Sequence, residues 1–253
     1  MNQRDSRGLL LSEFRRAFGV IRRVTRRRLP PRNAIDYATH VPILVGLGCS
    51  LGIAKVLEFG AGFYSTLTFL NRSAFPDVTS VITIESDSNW ISRVYSATKD
   101  DPRLRIRHVP EPIESILPEL DLADYDLVLV DSSTEAERRA ALIRQLANQS
   151  TGTGLIVIHD FEIDLYRRAA KGFLNRVDYS AFNPCTGVLW HAKRDREKKV
   201  LKGIRKIISR HAKSLAPDDV ESWATVFRKE FFVSPVGSCR PTKASGGSQT
   251  CGF

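Results

Sequence analysis

The chain has 253 residues, of which 42% are hydrophobic and 26% are charged, as in an ordinary soluble globular protein. This length can bury one large α/β core with appendages, so a single domain of enzyme size is expected. No run approaches the roughly 18 apolar residues that a membrane-spanning helix needs, because the longest candidate, residues 41–54, is short and interrupted by glycines. The sequence therefore predicts a protein that does not span a bilayer.

The formal net charge of +10 is concentrated in two segments. Residues 1–33 contain ten arginines against two acids, and residues 193–213 contain ten basic residues against two acids. The intervening residues, 34–192, are acidic overall. The four cysteines show no C-x-x-C spacing, which indicates neither a zinc site nor a disulfide framework. A reducing, cytoplasmic location is therefore expected.

Residues 1–33 predict a basic amphipathic helix, with arginines largely opposite an apolar face. Three external roles are open: contact with an anionic membrane surface, contact with RNA phosphates, or a targeting presequence. Membrane contact would place the protein peripheral to a membrane. The fourth alternative is that the helix packs on the domain as a lid. The apolar face comprises Leu10, Phe14, Ala17, Phe18, Ile21 and Val24.

Residues 34–193 alternate between apolar runs with strand character and helix-compatible segments. Strands are predicted at 55–59, 80–86, 104–109, 125–131, 153–160, 175–182 and 186–192. One or two helices are predicted within 34–54, and further helices at 64–71, 86–98, 111–120, 134–148 and 162–173. Strict β–α alternation favours a doubly wound, mostly parallel sheet with helices on both faces. Ligands of such sheets bind at the carboxyl ends of the strands.

Two segments follow this domain. Residues 194–233 predict a C-terminal helical extension, and residues 234–253 have the composition of a disordered tail. The first helix of the extension has an apolar face that is expected to point inward. That face comprises Val200, Leu201, Ile204, Ile207 and Ile208.

Polar residues recur where the predicted strands end. Charged groups beside a buried strand are costly unless they are paired or contact a ligand. After the first strand, Gly60 and Gly62 allow a sharp turn and a close backbone approach to a ligand, although an ordinary strand-to-helix turn is the alternative. The strand-end residues are Glu58 to Gly62, Glu85, Val109 to Glu111, Asp131, His159 and Asp160.

The segments VLEFGAGFYST, VITIESD, YDLVLVD and GLIVIHD together resemble the ordered motifs of class I S-adenosylmethionine-dependent methyltransferases. The glycine loop lacks the third glycine of the NAD-type G-x-G-x-x-G motif, whose place Ser65 takes, so S-adenosylmethionine is favoured over NAD. The resemblance covers residues 34–193. It implies a seven-stranded sheet in which the last strand inserts antiparallel beside strand five.

The resemblance also implies a set of cofactor-binding residues. Glu85 matches the acid that accepts both ribose hydroxyls, and a carboxylate suits a vicinal diol because it has two acceptor oxygens. Glu58 matches an acid that organises the loop and faces the methionine end of the cofactor. Trp90 either forms an apolar contact near the adenine or is a side chain of the hydrophobic core. The full set is Glu58, Phe59, Gly60, Ala61, Gly62, Ser65, Thr66, Glu85, Ser86, Trp90 and Asp131.

The predicted catalytic residues are Asp131, His159 and Asp160, at the ends of strands four and five. The VIHD ending resembles that of small-molecule O-methyltransferases, in which acids at the positions of Asp131 and Asp160 hold a divalent cation such as magnesium. The alternatives are His159 as a general base and a purely structural His–Asp pair. The leading function is methyl transfer to a small or medium acceptor at oxygen. An RNA or protein methyltransferase and an inactive cofactor-binding scaffold are the alternatives.

Overall fold

The computed structural model describes residues 37–98, 101–132, 135–149, 154–191 and 195–232. The predicted N-terminal helix at 1–33 and the predicted tail at 234–253 lie outside these ranges. Within them, no helix is both long enough and apolar enough to cross a membrane. The strands are β1 Lys55–Phe59, β2 Ser80–Glu85, β3 Leu104–His108, β4 Leu127–Val130, β5 Leu155–Ile158, β6 Asn175–Tyr179 and β7 Thr186–Trp190. The α-helices are α1 Val41–Ser50, α2 Ser65–Leu70, α3 Ser88–Thr98, α4 Ala136–Gln149, α5 Asp164–Ala169, α6 Asp195–His211 and α7 Val220–Phe232.

The seven strands form one sheet in the order β3-β2-β1-β4-β5-β7-β6. The pairs from β3 through β5 are parallel, and β7 lies antiparallel between β5 and β6. This confirms the predicted doubly wound sheet and its antiparallel last strand. The strand order reverses between β1 and β4, so the carboxyl ends of β1, β2, β4 and β5 border the crevice where such sheets bind ligands.

Apolar side chains cover both faces of the sheet. The core on one face includes residues of α1, α6 and α7, and the core on the other includes residues of α4 and α5. The sequence of α1, VPILVGLGCS, is apolar almost throughout, and residues 41–49 are all buried. The C-terminal extension covers this helix: a Cβ on Gly46 would lie 2.8 Å from side-chain atoms of Ile204 and Phe227. Of the face predicted to point inward, Leu201, Ile204, Ile207 and Ile208 are buried.

Three predicted helices are shorter or tighter than the sequence pattern indicated. Within 34–54, the described helix is only α1, preceded by a turn at 37–40. The segment at 111–120 is a 3₁₀ helix, Ile113–Glu119, with Pro118 inside it. The segment at 162–173 forms α5 followed by a 3₁₀ turn, Ala170–Gly172. None of these three differences involves a strand.

Candidate functional site

The glycine loop after β1 passes against the backbone that follows β4. Gly60 has a φ of +93°, a conformation that L side chains rarely adopt. A Cβ at Gly60 would lie 2.4 Å from the carbonyl oxygen of Asp131, so only glycine fits. The N–H of Gly60 donates to the carbonyl of Ile84 at 2.9 Å. The loop is therefore fixed between the ends of β2 and β4.

Glu58 is a fully buried acid at the end of β1. Its Oε2 atom accepts hydrogen bonds from the hydroxyls of Thr66 at 2.7 Å and Thr83 at 2.6 Å. Its Oε1 atom is buried and has no partner among the described residues. Burial raises the pKa of Glu58 to about 7, against the opposing effect of the neighbouring hydroxyls. Glu58 thus presents an unused acceptor beside the glycine loop.

Glu85, at the end of β2, joins the glycine loop to the start of α3. Its Oε2 atom accepts from the N–H of Ala61 at 2.9 Å. Its Oε1 atom accepts from the N–H groups of Ser86 at 2.7 Å and Asp87 at 2.9 Å. These backbone donors fix the carboxylate in one orientation. Oε2 accepts only one of these bonds, so its second lone pair remains able to accept from a ribose hydroxyl, whereas both lone pairs of Oε1 already have backbone donors.

Trp90 bridges α3 and the glycine loop. Its indole N–H donates to the carbonyl of Ala61, and its ring lies edge-on to Phe63 with 5.2 Å between centroids. Arg93 lies over the indole, 6.0 Å from its centroid. Trp90 therefore contacts the glycine loop directly, and its predicted place beside the adenine stays a prediction.

Asp131, His159 and Asp160 meet at the carboxyl ends of β4 and β5. His159 Nδ1 lies 3.2 Å from Asp131 Oδ1 and 3.6 Å from Asp160 Oδ1. The side chains of Asp131 and Asp160 are 22% and 26% exposed, whereas that of His159 is 4% exposed. The two carboxylates therefore reach the surface of the site, and the imidazole lies behind them. Asp160 has a φ of 56°, which aspartate tolerates better than most residues.

Arg139 of α4 also belongs to this cluster, although the sequence analysis did not single it out. Its Nη1 atom lies 2.8 Å from Asp160 Oδ2 and 3.3 Å from Asp131 Oδ1, and its Nε donates to the Ser132 carbonyl at 2.5 Å. The signal was present in the sequence: Arg139 interrupts the apolar face of α4, which contains Leu142 and other buried residues. A buried cation on an apolar helix face requires anionic partners.

The turn before α1 supplies two further residues that the sequence analysis missed. The hydroxyl of Thr39 lies 2.9 Å from His159 Nε2. The His40 ring packs edge-on to His159, with 4.6 Å between centroids, and neither of its nitrogens has a hydrogen-bond partner among the described residues. Burial, together with the nearby His159, lowers the pKa of His40 to about 3. His40 is therefore neutral at physiological pH.

Opposite charges set the protonation of the central pair. Burial alone would raise the pKa of Asp131, but the adjacent His159 and Arg139 outweigh it and hold this pKa below its ordinary value. Burial alone would lower the pKa of His159, but Asp131 outweighs it and raises this pKa above 6.5. The pair is therefore arranged so that Asp131 stays ionised while His159 can take up a proton.

The residues present do not fit the predicted magnesium ion between Asp131 and Asp160. The Arg139 guanidinium lies within 3.3 Å of both carboxylates and already supplies a positive charge there. A different group, His40, Asp131 and His159, offers donor atoms within 4.8 Å of one another. Two of these three donors are imidazoles, whereas magnesium prefers oxygen ligands. Neither group of side chains therefore suits magnesium.

No family model and no curated protein matches this sequence. Several solved structures resemble part of this chain at low identity. The S-adenosylhomocysteine-bound methyltransferase PaMTH1 of Podospora anserina is 13% identical, over 60% of this chain and 77% of that one, with a TM-score of 0.48. Spermidine synthase of Thermotoga maritima is 17% identical, over 64% of this chain and 62% of that one, with a TM-score of 0.49. N-methyltransferase NodS of Bradyrhizobium japonicum WM9 is 13% identical, over 62% of this chain and 96% of that one, with a TM-score of 0.43. These likenesses concern the fold alone, so the activity has to be argued from the site.

Proposed function

We propose that the protein is an S-adenosylmethionine-dependent methyltransferase that acts on a small or medium acceptor at oxygen. One observation carries the proposal: the glycine loop that would hold the cofactor packs directly on the backbone of Asp131, as the 2.4 Å approach at Gly60 shows. The Glu58 and Glu85 carboxylates lie on one side of this contact. The Asp131, His159 and Asp160 cluster lies on the other. Methyl donor and acceptor would thus bind next to each other.

The site supplies what methyl transfer to a hydroxyl needs. The sulfonium of the cofactor is already electrophilic, so the protein has to align the acceptor oxygen with the methyl group and receive the hydroxyl proton. The carbon–sulfur bond breaks as the carbon–oxygen bond forms. Asp131 is the exposed member of the pair and faces the acceptor. His159 lies behind Asp131, and its raised pKa suits it to take the released proton through that carboxylate.

The cofactor role of Glu85 is tested by titration with S-adenosylhomocysteine. The wild-type protein should bind it and not NAD. Glu85→Gln should weaken binding by about 1.5 to 3 kcal/mol, because one charged acceptor of the ribose hydroxyls is lost. Glu119→Gln is the matched control, since Glu119 is an exposed acid of the 3₁₀ helix Ile113–Glu119. Equal affinity in the wild type and Glu85→Gln would remove Glu85 from the site.

The position of Trp90 predicts a spectroscopic signal. A ribose that binds to Glu85 would change the contacts among Glu85, Ala61 and Trp90. Titration with S-adenosylhomocysteine should therefore change the tryptophan emission until the site is saturated. In Trp90→Phe the change should vanish while calorimetry still detects binding. The remaining tryptophans, Trp190 and Trp223, are buried in the core and report a constant background. A full emission change in Trp90→Phe would place its origin elsewhere.

Two alternatives make different predictions in a methyl-transfer assay. An RNA or protein methyltransferase would transfer the labelled methyl group to a macromolecule. The exposed basic face of α6 favours this alternative. An inactive scaffold would bind S-adenosylhomocysteine and transfer label to nothing. Transfer of labelled methyl groups to small hydroxyl compounds supports the proposal. The docking of residues 1–33 on an anionic membrane or RNA, and the cytoplasmic location, stay predictions.

A further inference from the structure

A basic pocket is lined by none of the residues of the cluster around Asp131. It has a volume of about 330 Å³, within the range of pockets that take small ligands. Its lining combines residues from α5, the following 3₁₀ turn and β6. The lining residues are Asp164, Arg167, Arg168, Lys171 and Arg176. Four cations and one acid thus surround a single concavity.

Buried Phe161 orders two of these arginines. Its backbone carbonyl accepts a hydrogen bond from Arg167 Nε at 2.9 Å, and its ring lies 5.8 Å from the guanidinium carbon of Arg176. Phe161 is itself fixed, because it is fully buried against Gly187, where an added Cβ would lie 2.5 Å from the ring. The hydrogen bond fixes the Arg167 guanidinium before any ligand arrives, which lowers the entropic cost of binding, and the Phe161 ring limits the positions open to Arg176.

The local secondary structure explains the positions of only some of the four cations that line the pocket. Arg167 and Arg168 lie in the last turn of α5, where cations interact favourably with the helix dipole. That argument does not apply to Arg176, which is on β6 and pairs with Asp178 at 3.4 Å. Neighbouring like charges repel one another, and a concave surface lined with one sign of charge concentrates its field inside the concavity. The arrangement favours an anion in the pocket.

We propose that this pocket binds a phosphoryl group. A phosphate carries up to two negative charges and has several acceptor oxygens, which suits donors that converge from three segments of the chain. Planar guanidinium groups bind phosphate oxygens in pairs, and three of the four cations are arginines. The proposal is independent of methyl transfer, because none of its residues belongs to the proposed cofactor or acceptor site.

The test uses the full chain and inorganic pyrophosphate as the probe, titrated by calorimetry at low ionic strength, where charge interactions are least screened. The double variant Arg168→Gln with Arg176→Gln should bind pyrophosphate at least about tenfold more weakly, because two charge-assisted contacts are lost. The matched control is Arg205→Gln with Lys206→Gln, which removes the same charge from the exposed face of α6. Affinity in the control should stay within about threefold of the wild type.

Two outcomes would overturn the proposal: no saturable binding by the wild-type protein, or an equal loss in both double variants, which would reveal only diffuse charge attraction. Affinity for S-adenosylhomocysteine, measured in parallel, should be unchanged in both variants and shows that they are folded. A second arm identifies the source of the phosphoryl group. Sedimentation with phosphatidic acid vesicles that is lost only in the pocket variant indicates a lipid headgroup. Pyrophosphate binding without such a loss indicates a free phosphate compound.

Discussion

Glu58→Gln should stabilise the protein at pH 8 by about 3 kcal/mol and, in the same variant, weaken the binding of S-adenosylhomocysteine. The pKa of Glu58 rises from an ordinary value of 4.5 to about 7 on folding, chiefly because the carboxylate is buried. The folded state therefore binds more protons than the unfolded state between these values, and wild-type stability falls as pH rises through this window. Glutamine keeps an acceptor for Thr66 and Thr83 but carries no charge, so this fall should disappear.

The measurement is the free energy of unfolding in urea at pH 5 and pH 8. The difference between Glu58→Gln and the wild type should be larger at pH 8 than at pH 5 by about 2 to 3 kcal/mol. Glu119→Gln, at an exposed position, should show no such change. If the free energies of unfolding of Glu58→Gln and the wild type differ by the same amount at pH 5 and pH 8, the pKa of Glu58 is not raised by folding.

Glu58→Gln is expected to raise stability but to lower the affinity for S-adenosylhomocysteine. The loss of affinity follows from the proposed role of Glu58 in binding the cofactor. A buried acid without a full set of partners costs stability, and proteins keep such groups mainly where a ligand needs them. The unpartnered Oε1 atom is the acceptor that the amino group of the cofactor would use. Unchanged affinity for S-adenosylhomocysteine in Glu58→Gln would separate Glu58 from the site while leaving the stability argument intact.

The strands could be predicted from the sequence because most of them are short, apolar runs between helical segments, and the place of the last strand beside strand five was implied by the family resemblance. The residues at the strand ends could be predicted for the same reason, since Glu58, Glu85, Asp131 and His159 each close such a run. Local patterns locate each strand to within a few residues of its observed ends. They also fix which loops meet once the strand order is known.

The rest of the site depends on contacts between distant segments. His40 reaches the cluster only because the turn before α1 packs beside His159. Arg139 reaches it only because α4 covers β4 and β5. The position of Arg139 on an apolar helix face indicates that it has anionic partners, but no short pattern around Arg139 or His40 identifies which residues those partners are. The predicted magnesium site does not fit the residues present for the same reason: the sequence shows two acids at strand ends but not the guanidinium that contacts both of them.

Gly60→Ala should destabilise the protein by about 2 to 5 kcal/mol. A φ of +93° is unfavourable for alanine, and left-handed backbone conformations cost a non-glycine residue roughly 1 to 2 kcal/mol. The added Cβ would also lie 2.4 Å from the carbonyl oxygen and 2.6 Å from the carbonyl carbon of Asp131. These are backbone atoms, which cannot rotate away, so the strain of overpacking adds about 1 to 3 kcal/mol.

Gly52→Ala is the matched control, because the nearest atom to its added Cβ is the side-chain oxygen of Asp77 at 3.7 Å. That variant should unfold within about 0.5 kcal/mol of the wild type. Because the loop at Gly60 separates Glu85 from Asp131, any shift that relieves the clash moves the proposed cofactor loop relative to the acceptor side. Gly60→Ala should therefore also bind S-adenosylhomocysteine at least about tenfold more weakly when measured under conditions where it remains folded. Wild-type stability in Gly60→Ala would show that the loop accommodates a side chain, and the close contact between the cofactor loop and Asp131 would then no longer support adjacent donor and acceptor sites.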